Sequence, residues 1–258
     1  MGTEDRATLL EQAARLLKGA TSACALTGAG ISTPSGIPDF RSAGSGLWER
    51  ADPMEVASLT AFRYHAEAFF AWIHPLAASI LDSQPNAAHL ALARLETAGR
   101  LAGLVTQNID GLHARAGSRR LFEIHGHLRT ATCVACYRSF GTDSMLAQFA
   151  QTGAVPRCQA CGGVLKPDVV LFGEQLPQEA VRGAEALLGS CDLLLIAGSS
   201  LEVTPAALMP QRALQAGARL IIVNREPTYL DVRADVVFHQ DVTDVLPALA
   251  DEVLRGRT

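Results

Sequence analysis

A chain of 258 residues is long enough for one large domain, or for one domain carrying a smaller insert. Its composition, 48% hydrophobic and 19% charged, is that of a soluble core-forming protein, and no apolar run approaches the ~20 residues that a bilayer span requires. The formal net charge of −4 argues against a general nucleic-acid binder, which clusters Lys and Arg to displace phosphate counterions.

The first residues, Met1-Gly2-Thr3-Glu4-Asp5-Arg6, are polar and acidic, the reverse of a secretory signal, so a cytoplasmic location is expected. Residues 4–19 place Ala7, Leu10, Ala14 and Leu17 on one face, which predicts an amphipathic helix ending at Gly19. An apolar strand over 23–26 then meets Gly28-Ala29-Gly30 and a loop rich in Gly, Pro and Ser. Closely spaced glycines after a strand let backbone N–H groups approach a pyrophosphate, because no Cβ blocks the way. That is the physical content of a dinucleotide fingerprint, but Thr33 occupies the place of the third glycine, and Gly-x-Gly alone reads equally as an ordinary turn. Residues 42–53, with Gly44, Gly46 and Trp48, are turn-like and expected to be a loop. Residues 58–82 carry Phe62, Tyr64, Phe69, Phe70 and Trp72 at helical spacing, a stripe assigned mainly to packing.

A second amphipathic helix is predicted over 86–98, with Ala88, Leu92 and Leu95 facing inward and Gly99 at its end. The strand predicted over 101–106 stops at Gln107-Asn108-Ile109-Asp110-Gly111-Leu112-His113. Polar groups at the C-terminal edge of a parallel sheet are where open α/β folds bind ligands; Asn, Asp and Gly are equally ordinary turn residues. Another strand, 121–124, runs into His125-Gly126-His127, where a histidine is more often a plain hydrogen-bonding residue than a functional one.

Cys133-Val-Ala-Cys136 and Cys158-Gln-Ala-Cys161 supply four thiolates able to close tetrahedrally on zinc. The spacer slightly exceeds the roughly 15–20 residues of the usual pattern, and extra loop length is cheap. Four thiolates leave no open position, so the zinc is expected to be structural. Cys24 and Cys191 read as small buried hydrophobes. Beyond the cysteines, 166–174 reads as an extended segment ended by Gly173, and 178–189 as a helix. Residues 191–197 form a continuous apolar run suited to a strand covered on both faces, closed by Gly198-Ser199-Ser200. A helix over 205–216, a strand over 219–223 ending in Asn224-Arg225, a strand over 236–238 and a helix over 242–254 complete the chain. The alternation predicts an α/β fold, a Rossmann-like doubly wound parallel sheet with a smaller domain built from helical and zinc-binding inserts. The boundaries expected are 1–41, 84–125 and 167–258 for the Rossmann-like part, with 42–83 and 126–166 forming the smaller domain.

The segments G-A-G-I-S-T-x-S-G-I-P-D-F-R, T-Q-N-I-D-G-L-H, His125-Gly126, the two C-x-x-C pairs, K-P-D-V-V-L-F-G-E and G-S-S-L-E-V-x-P occur here in one order. In this the chain resembles the sirtuin family of NAD-dependent protein deacylases, from about residue 17 to residue 249. The resemblance implies that Gly28, Ala29, Gly30, Thr33 and the loop through Asp39 receive the NAD pyrophosphate. Phe40 would shield the nicotinamide side, and Arg41 would contact phosphate. It assigns Gln107 and Asn108 to the nicotinamide ribose, and Ile109 and Asp110 to the carboxamide. Gly198, Ser199, Ser200, Asn224, Arg225 and Val242 would line the adenosine end. With Asn108, His125 is the implied catalytic residue, a general base suited by an ordinary pKa near 6.5.

In the implied reaction the acyl-lysine oxygen attacks the anomeric carbon of the nicotinamide ribose and nicotinamide leaves. A ribose hydroxyl activated by His125 attacks next, and water releases lysine and O-acyl-ADP-ribose. Zinc takes no part. The acylated-lysine peptide is expected to lie as a strand beside Val169, Val170, Phe172 and Gly173, with Val170 and Phe172 on one side. Relatives that prefer acidic acyl groups carry a Tyr-x-x-Arg pair where this chain has Ala71 and His74, so acetyl and neutral acyl groups are expected. Competing readings are protein ADP-ribosyl transfer, a non-catalytic NAD-binding or zinc interaction module, and, least favoured, a dehydrogenase. Neither a nucleic acid nor a membrane is an expected partner.

Overall fold

Alternation of side chains along short, largely buried strands builds the centre of this protein. The computed structural model describes residues 3–39 and 51–255, so Phe40, Arg41 and most of the loop expected at 42–53 lie outside the described residues. Along the chain, α1 (Thr3–Gly19) leads to β1 (Ala23–Thr27), and α2 (Pro53–Val56), α3 (Leu59–Tyr64) and α4 (Ala66–Asp82) follow. Next come α5 (Ala87–Thr97), β2 (Leu104–Thr106), α6 (Leu112–Arg115), β3 (Leu121–Glu123), β4 (Gly126–Cys133), β5 (Ser139–Gly141), α7 (Asp143–Thr152) and β6 (Leu165–Val169). The chain closes with α8 (Gln178–Gly189), β7 (Leu193–Ala197), α9 (Met209–Gln215), β8 (Arg219–Val223), β9 (Val236–Phe238) and α10 (Val242–Leu254).

Six strands pair in the order β3-β2-β1-β7-β8-β9, every pairing parallel. Ala23, Ala25, Leu193, Leu195, Ile221 and Val223 point to the face covered by α1, α5 and α10. Cys24, Leu26, Leu194, Ile196, Leu220 and Ile222 point to the face covered by α8 and α9. Both faces are dry, which is why these strands read as unbroken apolar runs. The strand order reverses between β1 and β7, and such a switch point opens the crevice where doubly wound sheets bind ligands.

A second sheet is antiparallel, in the order β5-β4-β6. It packs with α3, α4 and α7 around Phe62, Phe69, Phe70, Leu128, Phe149 and Val169. Phe62, Phe69 and Phe70 meet edge to face, with ring centroids 5.1 to 5.8 Å apart, and Phe149 meets Phe70 in the same way at 5.3 Å. Tyr64 departs from the expected packing stripe: it is 70% exposed, because a residue two positions after buried Phe62 emerges on the opposite side of α3. Strand β6 crosses residue 167 and pairs with β4, so residues 167–169 belong to the small sheet. Among the described residues no helix is long and apolar enough to cross a membrane.

Candidate active site and zinc centre

The glycine turn after β1 forms a 3-10 turn over Ala29–Ile31, pressed against the end of β7. Gly28 N–H donates to Ala197 O at 3.3 Å, and Gly30 N–H donates to Gly198 O at 2.8 Å. A Cβ on either Gly28 or Gly30 would stand 2.9 Å from the Gly198 carbonyl oxygen. These glycines therefore serve the close approach of β1 and β7, and both amides are spent inside the protein. That narrows the phosphate-facing amides expected from this turn. Thr33 caps it, donating from Oγ1 to Gly30 O at 3.2 Å.

Beneath the turn lies a buried polar network. Asn108, 9% exposed, donates from Nδ2 to Gly28 O at 3.1 Å and to Ser32 Oγ at 3.0 Å. Ser32 Oγ donates to Asp110 Oδ2 at 2.7 Å, and Leu112 N–H donates to Asp110 Oδ1 at 2.8 Å. Burial raises the Asp110 carboxyl above its ordinary pKa, and those two hydrogen bonds oppose the rise. His89 Nε2 lies 3.4 Å from Ser32 Oγ, while its Nδ1 accepts from Asn86 N–H at 3.3 Å. A second buried imidazole, His113, packs on it with ring centroids 4.7 Å apart and reaches Thr27 Oγ1 at 2.9 Å.

Ser32 and His89 are site neighbours to which the sequence assigns no role, and His113, the last residue of the polar cluster after β2, joins them. Asn86 followed three residues on by a polar residue is the signature of a capping box, and here it anchors His89 below the turn.

His125 sits at the end of β3, immediately before β4. Its Nδ1 lies 3.0 Å from Gln107 O. A carbonyl only accepts, so Nδ1 carries the proton and Nε2 of the neutral ring keeps a free lone pair. Burial holds this imidazole below its ordinary pKa, partly opposed by the Gln107 hydrogen bond. Gly126 fixes the place, since a Cβ there would stand 2.1 Å from Asp168 O.

Gln107 itself donates from Nε2 to Ser199 Oγ at 2.9 Å, joining the ends of β2 and β7. Ser199 is buried and Ser200 exposed. Asn224, 8% exposed, donates from Nδ2 to Glu226 O at 2.7 Å. Arg225 pairs with Asp241, the residue that caps the helix beginning at Val242. Ile109 is half-buried, packed against the core of the helical insert. Of the residues expected beside a peptide, Val170 and Phe172 are partly exposed, whereas Val169 is buried in β6.

The four cysteines converge as their spacing predicts. Their sulfurs all lie within 4.8 Å of one another, with Cys133–Cys161 at 3.5 Å and Cys136–Cys158 at 3.8 Å. A tetrahedron of Zn–S bonds near 2.3 Å has edges of about 3.8 Å, so these thiolates fit zinc. Gly163 leaves the room, because a Cβ there would come within 2.9 Å of Cys133 Sγ. Strand β4 separates His125 from Cys133 by roughly 25 Å of extended chain, too far for the metal to act at the imidazole.

The Sir2 family model matches residues 28–205, which hold the turn, His125 and all four cysteines. The chain belongs to the Sir2 family. A curated relative from Archaeoglobus fulgidus, named NAD-dependent protein deacylase 2, is 42% identical over 250 residues, covering 96% of this chain and 98% of the relative. A solved structure described as a structural basis for the mechanism and regulation of Sir2 enzymes superposes with a TM-score of 0.90 at 42% identity. The alignment covers 97% of this chain and 99% of that one. A further Sir2 structure, with a deacetylated peptide and 3'-O-acetyl ADP-ribose, gives a TM-score of 0.88 at 36% identity, covering 94% and 98% of the two chains. The Sir2-family fold thus spans both sheets of this protein.

Proposed function

We propose that this Sir2-family protein is an NAD-dependent protein-lysine deacylase that consumes NAD and acyl-lysine and releases lysine, nicotinamide and O-acyl-ADP-ribose. The observation that carries the reading is the tautomer of His125: with Nδ1–H committed to Gln107 O, Nε2 is free to take a proton. The substrate hydroxyl that gives up that proton is on the nicotinamide ribose. Asn108 and Asp110, anchored through Ser32, orient the ribose and carboxamide at the switch point between β1 and β7. Ser199, Asn224 and Arg225 serve the adenosine end. The zinc thiolates hold the small sheet together, and zinc supplies no chemistry to the reaction. Four reduced thiolates suit a reducing compartment, which supports a cytoplasmic enzyme.

Acetyl and other neutral acyl groups are the substrates proposed. His74, the residue nearest in sequence to an acid-binding position, directs Nε2 to Ala150 O at 3.0 Å and stacks edge-on against Phe149. Its ring is thereby committed to α7. The deciding assay incubates the protein with NAD and an acetyl-lysine peptide and follows both products by mass. Nicotinamide release that depends on the peptide, together with O-acetyl-ADP-ribose, is expected. Label from NAD ending on protein would turn the reading to ADP-ribosyl transfer, and no turnover at all would leave a binding module.

A further inference from the structure

The segment from Lys166 to Glu174 contains the residues proposed to meet the peptide, and it is closed on itself by its own two ends. Laid straight, the eight steps from Lys166 to Glu174 would span about 26 Å. Instead Lys166 Nζ lies 3.0 Å from Glu174 Oε2, so the chain turns back between them. The same ammonium donates to Val169 O at 2.8 Å and to Pro167 O at 3.2 Å, which uses all three of its protons. Glu174 Oε2 also accepts from Leu171 N–H at 2.9 Å, and Glu174 N–H donates to Leu171 O at 2.9 Å. Both side chains are mostly withdrawn from water, with 15% and 26% of their surface exposed. Such a pair resists salt better than one on the open surface.

The closure decides which main-chain groups remain for a ligand. Phe172 N–H donates to Ala57 O and its carbonyl accepts from Leu59 N–H, both at 2.9 Å, so the helical insert takes that edge. Val170 N–H donates to His125 O at 2.9 Å. Val169 O belongs to Lys166 and Leu171 N–H to Glu174. Among the described residues, no backbone hydrogen bond takes up the carbonyl of Val170 or either main-chain group of Gly173. The same few residues thus tie His125, through Val170, to the helical insert, through Phe172.

We infer that Lys166 and Glu174 are positioning residues: their ion pair holds the 169–173 segment in the shape that presents Val170 O and Gly173 to an extended acyl-lysine peptide. This rests on the deacylase reading. It predicts that the pair governs recognition of the peptide main chain and not the chemistry at His125.

The test uses the full-length zinc-loaded protein and compares Glu174→Gln, Lys166→Met and the charge-swapped double variant Lys166→Glu/Glu174→Lys with the parent. Two substrates are used, a ten-residue acetyl-lysine peptide and a capped single acetyl-lysine that has no flanking main chain. Each single variant should raise KM for the peptide about tenfold with kcat within about twofold, and leave the capped amino acid unaffected. The double variant should recover part of the peptide KM. Equal losses on both substrates, or an unchanged peptide KM, would overturn the inference. Should Glu174→Gln fail to load zinc, Lys166→Met removes the same ion pair from its other side and carries the readout. Anisotropy of a labelled acetyl-lysine peptide separates the two levels of the argument: a parent that binds the peptide without turning it over refutes the deacylase reading, while the variants' affinities still decide the ion pair's role.

Discussion

Gly198 faces Ile31 across the gap between β7 and β1 so closely that a Cβ on Gly198 would stand 2.2 Å from the Ile31 nitrogen. Its φ of +61° is one that a side chain also disfavours. Gly198→Ala is therefore expected to cost about 2–4 kcal/mol, from backbone displacement and left-handed strain together. Because the shift falls on the turn that carries Gly28 and Gly30, NAD affinity should fall as well. Thermal unfolding paired with calorimetric titration of ADP-ribose measures both; an unchanged protein by either measure would show that the gap closes without the glycine.

The pH dependence of turnover follows from His125. The base works only when neutral, and burial holds its pKa below the ordinary 6.5. Activity should therefore persist undiminished as pH falls through 6.5 and decline only at lower pH, once Nε2 is protonated. A kcat/KM profile whose acidic limb lies above 6.5 would contradict the burial argument.

His125→Tyr removes the proton acceptor and leaves the zinc module alone. Deacylation should drop by about 10²–10⁴-fold, the usual worth of a general base. Zinc stoichiometry and the thermal midpoint should stay close to those of the parent. Normal turnover in this variant would remove His125 from the mechanism.

Acid should also weaken the fold, through His89. This imidazole is wholly buried, and desolvation lowers its pKa to about 4. The unfolded chain binds the proton more readily, so the stability owed to a neutral His89 is complete above pH 6.5 and is lost as pH falls from 6.5 toward 4. The full loss is about 3 kcal/mol. His113, buried against it and also depressed, acts in the same direction. In His89→Gln the slope of thermal midpoint against pH across that window should flatten; an unaltered slope would assign the acid sensitivity elsewhere.

Cys158→Ala opens one corner of the thiolate cage. Zinc should be lost, and the midpoint should drop by about 10 °C or more as β4, β5 and β6 lose their anchor. Activity should vanish with the fold of the small sheet even though the metal lies far from His125. Zinc analysis and circular dichroism decide it, and retention of one zinc per chain would show that three thiolates suffice.

Much of this architecture is legible locally. Runs such as Leu193–Ala197 and Arg219–Val223 announce buried parallel strands, because a strand covered on both faces has no need of alternation. The cysteine spacing announces its tetrahedron, since ligand geometry is set by two short loops. Other features were not legible. β4, β5 and α7 lie inside the zinc insert: β5 has only three residues, and β4, though eight long, fills its buried positions with Gly126, Leu128, Ala131 and Cys133 and shifts register between Gly126 and Ala131, so its apolar alternation is faint. Tyr64 read as core and proved exposed, since helical spacing predicts a shared face only for residues three or four apart.

By itself, the sequence determined the chemistry that is available: four thiolates at zinc spacing, a histidine at a strand end, and a Gln-Asn-Ile-Asp cluster at another. Only the tertiary structure decided what each group is free to do. Gly28 and Gly30 looked like an open cradle for phosphate, yet their amides are bound to Ala197 and Gly198, because β1 and β7 are neighbours only once the sheet has formed. The base of His125 was likewise selected by Gln107, a residue 18 positions away whose carbonyl decides which nitrogen holds the proton. Local sequence sets side-chain identity and backbone preference, while hydrogen-bond partners across strands are assigned by packing.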